Sequence, residues 1–246
     1  MSEEIFDVVN ERDDVVGQAP RQEVHARGLW HRAVHVLVFN ARGEIFLQKR
    51  SLKKDIAAGK WDSSASGHLD TGEAYDACAV REVREEIGLE LYHPSLPPIG
   101  GEISPQQGSR PESLNQPVLS NVKTPGAFPP LRVGGVGGAD GERAGVRCAS
   151  LHLGVHGAGG RRPGEGERGL RRLFKLDACR ETGWEFCWIY RCVSEGPFTL
   201  HPDEIETGAW FSPDAVTRWV NEKPQDFASC FVLIWKTFLM PSRPGS

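Results

Sequence analysis

Between Gly67 and Leu89 the chain reads GHLDTGEAYDACAVREVREEIGL, a stretch whose periodicity admits one regular structure. Val80, Val83 and Ile87 fall at i, i+3 and i+7, with Ala77 extending the stripe, so a helix over 74–87 turns them toward a core. Gly72 precedes that helix. Gly88 is placed to stop it, since a residue without a Cβ enters a left-handed cap at little cost. Glu82, Glu85 and Glu86 stand at i, i+3 and i+4 and share a different face. Like charges at this spacing destabilise a helix by roughly 0.2–0.5 kcal/mol per pair. A divalent cation reverses that sign. Ligation by carboxylate oxygens alone suits Mg2+ or Mn2+ rather than Zn2+.

The flanks read as strands and helices. WHRAVHVLVFNARGEIFLQKR predicts a strand over 33–39, a turn at Asn40–Gly43 and a second strand over 44–49, which is a hairpin pattern. Residues 184–193 are dense in aromatic and β-branched side chains and read as a strand, with a shorter one near 208–211. Ser212-Pro213-Asp214 starts a helix with Ser as N-cap and Pro at N1, ending near Glu222. A last, largely buried helix is expected over 226–239.

Residues 93–169 break this pattern. They hold 17 of the 28 glycines and 10 of the 17 prolines, and Phe128 is their one aromatic. Such a segment buries too little apolar surface to offset its ordering entropy. Two readings stay open: a disordered insertion, or non-coding sequence carried into the translation. The expected organisation is a single domain over 1–246, with its core in 1–92 and 170–240.

Bulk properties exclude several classes. A net charge of −4 gives no electrostatic footprint for nucleic acid or an anionic membrane. No apolar run approaches a membrane span. The acidic start MSEEIFDVVNERDD lacks the order of a signal or transit peptide, so a cytosolic location is expected. The cysteines (Cys78, Cys148, Cys179, Cys187, Cys192 and Cys230) form no CxxC pair and are expected to be reduced thiols that hold no zinc.

The spacing of Gly67, Glu73, Arg81-Glu82, Val83, Glu85-Glu86, Gly88 and Leu89 resembles the Nudix box, G-x5-E-x7-R-E-U-x-E-E-x-G-U, with U a bulky aliphatic. The resemblance implies an α/β/α sandwich around a mixed sheet. It implies Mg2+ (or Mn2+) held by Glu82, Glu85, Glu86 and the Gly67 carbonyl. Glu73 and Arg81 would orient the glutamates. The implied reaction is hydrolysis of a diphosphate linked to another moiety, nucleoside or alkyl. Glu86 or Glu185 would activate water, with Glu204 a further carboxylate from a later segment. Dimers are common in such a family.

The flank WHRAVHVLVFNARGEIFLQKRSLKKDIAAGKWDSSASGH is similar to the isopentenyl-diphosphate isomerase branch of Nudix proteins. That similarity places His31 and His68 at metal-binding positions and Arg50 and Lys54 on the diphosphate. It also places Glu185 as a catalytic glutamate. Trp61 and Trp184 are candidates to line the substrate pocket. The chain departs from the isomerases at three points. Ser66 stands where they carry a cysteine, Gly183 replaces a second glutamate, and His25 lies one residue out of register with their first metal-site histidine. A serine hydroxyl is far less acidic than a thiol, so a hydrolase is expected ahead of an isomerase, and a binding protein without turnover after both.

Overall fold

The computed structural model describes residues 3–91 and 169–240; positions 93–168 of the Gly/Pro-rich segment lie outside the described residues. The chain opens with a hairpin, β1 (Ile5–Val9) and β2 (Val15–Pro20), followed by the short helix α1 (Arg21–Arg27). Then come β3 (His31–Phe39), β4 (Ile45–Arg50), β5 (Trp61–Asp62), β6 (Ala65–His68) and α2 (Tyr75–Ile87). After the segment come β7 (Arg171–Leu176), β8 (Glu185–Val193), β9 (Ile205–Phe211), α3 (Pro213–Glu222), a 3-10 turn at Pro224–Asp226, and α4 (Ser229–Phe238).

Strands β3 to β9 form one mixed sheet in the order β5-β4-β3-β8-β7, with β6 alongside β3 and β9 alongside β4. β3 and β8 run parallel over their full length, His31 opposite Glu185 and Phe39 opposite Val193. The other pairs are antiparallel. The parallel pair joins residues more than 150 positions apart in the chain, and it sets the two ends of the functional site side by side.

Side-chain alternation along β3 builds two layers. Val34, Val36 and Val38 face α2 and pack with Val80, Val83, Ile87, Tyr190 and Ile205. Ala33, Leu37 and Phe39 face the other way, toward Val216 and Val220 of α3 and Phe231, Ile234 and Trp235 of α4. Helices therefore cover both faces of a mixed sheet, which is the expected α/β/α sandwich.

α2 ends as its sequence requires. Gly88 takes φ 68°, its N–H donates to the Arg84 carbonyl at 3.0 Å, and Leu89 N–H reaches the Val83 carbonyl at 3.3 Å. Its buried stripe is broader than the heptad reading, taking in Cys78, Ala79 and the charged Glu86. Ser212 caps α3 by accepting from Ala215 N at 3.3 Å. The last helix differs from expectation. Phe227 and Ala228 are extended, and Ala228 N donates to the Trp61 carbonyl at 2.9 Å, so α4 begins only at Ser229. That strand-like pairing with β5 is a tertiary contact that local sequence does not announce. The β1–β2 hairpin and α1 also carry no strong periodicity; they form around a small cluster of Phe6, Ala19 and Val24.

Candidate active site

The box residues converge on Arg81. Its Nε donates to Glu73 Oε1 at 2.9 Å and its Nη2 to Glu73 Oε2 at 2.8 Å, a bidentate pair. Nη2 also donates to the His68 carbonyl at 3.0 Å, and Nη1 to Glu82 Oε1 at 2.6 Å and Glu85 Oε2 at 3.3 Å. Asp70 N–H donates to the same Glu73 Oε2 at 3.0 Å. One guanidinium thus ties the loop after β6 to the carboxylate face of α2.

Gly67 explains how close that face comes to β6. A Cβ built at residue 67 would stand 2.0 Å from Glu82 Oε1, so only glycine admits the carboxylate here. Glu86 is buried. Its Oε2 accepts from Ser66 N and from Gln48 Nε2, each at 3.0 Å. Burial, and then the charge of Glu82, pushes Glu86 up to about 8. Burial likewise raises Glu82 to about 7, against the opposing pull of Arg81. Glu82 shares its guanidinium with Glu73 and Glu85, and Glu86 has only the neutral donors Ser66 N and Gln48 Nε2, so the two carboxylates are short of positive charge. A hard divalent cation fits that deficit and that oxygen donor set.

A second cluster forms beside the first. His25 from α1, His31 from β3 and His68 from β6 bring ring nitrogens within 4.8 Å of one another. Glu185 Oε1 at the start of β8 lies 3.0 Å from His68 Nε2 and 3.4 Å from His31 Nε2. His31 Nδ1 is 2.9 Å from the Leu29 carbonyl, which can only accept, so the proton sits on Nδ1 and Nε2 faces the cluster. The Nε2 atoms of His25 and His31 are buried and make no hydrogen bond. Phe6 closes one side, its ring 4.6 Å from that of His68 and 5.7 Å from that of His31. Burial, then the neighbouring imidazoles, lowers His25 to about 4; burial also lowers His68. Burial opposes ionisation of Glu185, but contacts with His68 and His31 outweigh it and hold the carboxyl well below its ordinary value. The unbonded ring nitrogens of His25 and His31, with His68 and the Glu185 carboxylate beside them, form a donor set for a borderline transition metal such as Mn2+, Fe2+ or Zn2+.

Both clusters open on one cavity of about 550 Å3. Gly67, His68, Arg81, Glu82, Glu85, Glu86 and Glu185 line it, as do Arg50 and Lys54 from the basic loop. Those two cations are already paired. Arg50 Nη1 donates to Asp62 Oδ2 at 3.1 Å, and Lys54 Nζ contacts Glu204. Trp61 is placed otherwise than expected. It does not line the cavity but packs edge-on against Phe211 and Trp219, at 5.2 and 5.6 Å between ring centres. Trp184 also stays off the lining; it is 41% exposed and holds a positive φ of 69°.

Several cavity residues escaped the sequence reading. His25 stands one position out of register, and α1 turns it inward all the same. His35, Asp62, His201 and Cys230 also line the wall. For His35 the signal was present, since it shares the strand face of His31. For Cys230 there was none, because its place depends on where α4 begins.

Residues 29–116 match the NUDIX domain family model. An uncharacterized Nudix hydrolase from Yersinia pestis is 26% identical over 234 residues, covering 95% of this chain and 86% of its own length. An isopentenyl-diphosphate Delta-isomerase from Photorhabdus laumondii is 36% identical over 104 residues, but the match takes in 39% of this chain and 59% of that protein. An uncharacterized Nudix hydrolase from Pseudomonas aeruginosa is 41% identical over 86 residues, 35% of this chain and 51% of its own. Among solved structures, DR0079 from Deinococcus radiodurans superposes with a TM-score of 0.60 at 18% identity, covering 96% of this chain and all (100%) of its own, a likeness of fold. Among the described residues, no helix is long and apolar enough to cross a membrane. With the box complete from Gly67 on β6 to the end of α2, and the family model matched over residues 29–116, the chain carries a Nudix domain.

Proposed function

We propose that the chain is a Mg2+-dependent Nudix hydrolase that cleaves a diphosphate linked to a nucleoside or alkyl group. The observation that carries this reading is the carboxylate pair Glu82 and Glu86, the first held against Gly67 by Arg81 and the second buried on Ser66 N and Gln48 Nε2. Glu82, Glu85, Glu86 and the Gly67 carbonyl would hold the cation, with Mn2+ an acceptable substitute. When bound, the ion supplies charge neutralisation on the phosphoryl oxygens and a lowered pKa for the attacking water.

The chain's own residues divide the remaining work. Arg81 and Glu73 orient the carboxylates. Arg50 and Lys54 contact the diphosphate by exchanging their present partners, Asp62 and Glu204, for phosphate oxygens. Glu86, raised in basicity by burial, accepts the proton of the attacking water. Glu185 holds the imidazole cluster at the cavity wall, with His31 and His68 as further metal ligands. The substrate is a small molecule. The reading takes 1–246 as one domain, with its core in 1–92 and 170–240.

The imidazole cluster gives the isomerase reading a specific observation in its favour. Ser66 and Gly183 weigh against it, since neither supplies the acid or base that moving a proton on carbon requires. The experiment is a panel of nucleoside and alkyl diphosphates, isopentenyl diphosphate included, followed by phosphorus NMR with Mg2+ and a Glu85→Gln control. Cleavage lost in the control supports the hydrolase. Double-bond migration without phosphate release supports the isomerase.

A further inference from the structure

On the α4 side of the cavity, three ligand-bearing side chains come together from distant parts of the chain. His35 is in the middle of β3, Cys187 is near the start of β8, and Cys230 is in the first turn of α4. Their ligand atoms lie within 4.8 Å of one another. Cys230 Sγ is 3.3 Å from His35 Nε2 and 4.0 Å from Cys187 Sγ. All three side chains are buried, and none belongs to the box or to the imidazole cluster.

We propose that His35 Nε2, Cys187 Sγ and Cys230 Sγ form a site for a thiolate-preferring divalent cation, with Zn2+ the best fit. The separations carry the case. A tetrahedral Zn2+ with bonds of about 2.3 Å to sulfur and about 2.0–2.1 Å to nitrogen spaces two sulfurs about 3.8 Å apart and a sulfur and a nitrogen about 3.5 Å apart. The Cys187–Cys230 sulfurs at 4.0 Å and the Cys230–His35 pair at 3.3 Å stand close to those spacings, and the third pair lies within 4.8 Å.

The imidazole is also oriented for ligation. His35 Nδ1 donates to Ser63 Oγ at 2.6 Å, and Ser63 Oγ donates onward to Asp62 Oδ1 at 3.3 Å. That relay fixes the proton on Nδ1 and turns Nε2 to the Cys230 sulfur, where an ion can take the place of the proton the pair shares, the outer-shell arrangement that metal-binding histidines use. A core role explains a buried cysteine well enough. It does not explain why a buried imidazole nitrogen meets one thiol at 3.3 Å with a second thiol 4.0 Å beyond the first.

An entry path exists, because His35 and Cys230 line the cavity. The fourth position opens on that same space, where Glu185 Oε2 stands 3.7 Å from Cys187 Sγ. Uptake of one ion releases two protons, from the thiol of Cys187 and from the Cys230–His35 pair, and leaves two thiolates and a neutral imidazole as ligands. The bound ion ties α4 to the β3–β8 pair at the cavity wall. Nothing in this assignment depends on diphosphate chemistry, so either can fail alone.

The test uses the full chain, reduced and stripped of metal, titrated with Co2+ as a spectroscopic substitute. The expected result is a thiolate-to-cobalt charge-transfer band that saturates at one equivalent and is displaced by Zn2+. Cys230→Ser and Cys187→Ser should lose most of it. Cys192→Ser, a buried thiol packed on the opposite face of the sheet, should keep it. Zn2+ should also raise the Tm of the wild type more than that of Cys230→Ser. A folded, reduced wild type that binds Co2+ with no thiolate band overturns the proposal and places the ion on the imidazole or carboxylate cluster. A band that survives unchanged in Cys230→Ser overturns it as well.

Discussion

A methyl group at residue 67 would overlap the carboxylate of Glu82, at 2.0 Å from its Oε1. The obstacle is the far end of a flexible side chain, so the backbone has no need to move. Gly67→Ala should therefore fold with nearly wild-type Tm while turning Glu82 away from the metal. A displacement of this size should lower kcat/KM for a cleaved diphosphate by roughly 10²-fold. Steady-state kinetics beside a thermal melt checks both halves.

Arg81→Lys tests the clamp. Lysine keeps the charge but cannot span Glu73, Glu82 and Glu85 at once, so charge alone should not rescue function. The expected loss is about 10–100-fold in Mg2+ affinity, the usual cost of removing an outer-shell partner. Calorimetric titration of Mg2+ into the variant measures it.

The pH dependence follows from Glu82 and Glu86, raised from 4.5 to about 7 and about 8. Their folded-state values exceed the unfolded ones, so between those limits the folded chain holds protons that the unfolded chain releases. These two groups therefore weaken the metal-free fold as pH rises from 4.5 toward 8. Mg2+ requires the ionised forms, so its stabilisation should grow over the same window. Melts with and without Mg2+ at about pH 5.5 and about pH 8.5 should show the larger Tm gain at the higher pH.

Trp61 belongs to the aromatic packing between β5, β9 and α3 rather than to the cavity. Because it is only partly buried, Trp61→Ala should cost about 2–3 kcal/mol, below the range for a fully buried tryptophan. KM should remain near the wild-type value. Denaturant unfolding and kinetics on one preparation separate these effects.

The helix α2 was legible in the sequence because its information is local. Heptad spacing, the Gly88 stop and the order of Glu73, Arg81 and the glutamates all lie within 23 residues, Gly67–Leu89. β3, β4 and β8 were legible for the same reason, each being a short run rich in apolar, aromatic or β-branched side chains. What stayed hidden depends on partners far along the chain. Phe227 and Ala228 extend to pair with Trp61, which delays α4 and brings Cys230 to His35. His25 joins the imidazole cluster only because the β1–β2 hairpin sets α1 against β3. The basic loop was legible as charge, yet its pairing of Arg50 with Asp62 and Lys54 with Glu204 was not.

The central claim is that the carboxylates of α2 hold the cation that drives diphosphate cleavage. The most direct measurement is the cleavage rate against Mg2+ concentration for the wild type and Glu82→Gln, on whichever diphosphate the panel identifies. The account predicts saturable dependence on Mg2+ in the wild type and near-complete loss in a folded Glu82→Gln. Cleavage that needs no divalent cation, or that survives Glu82→Gln undiminished, would contradict it.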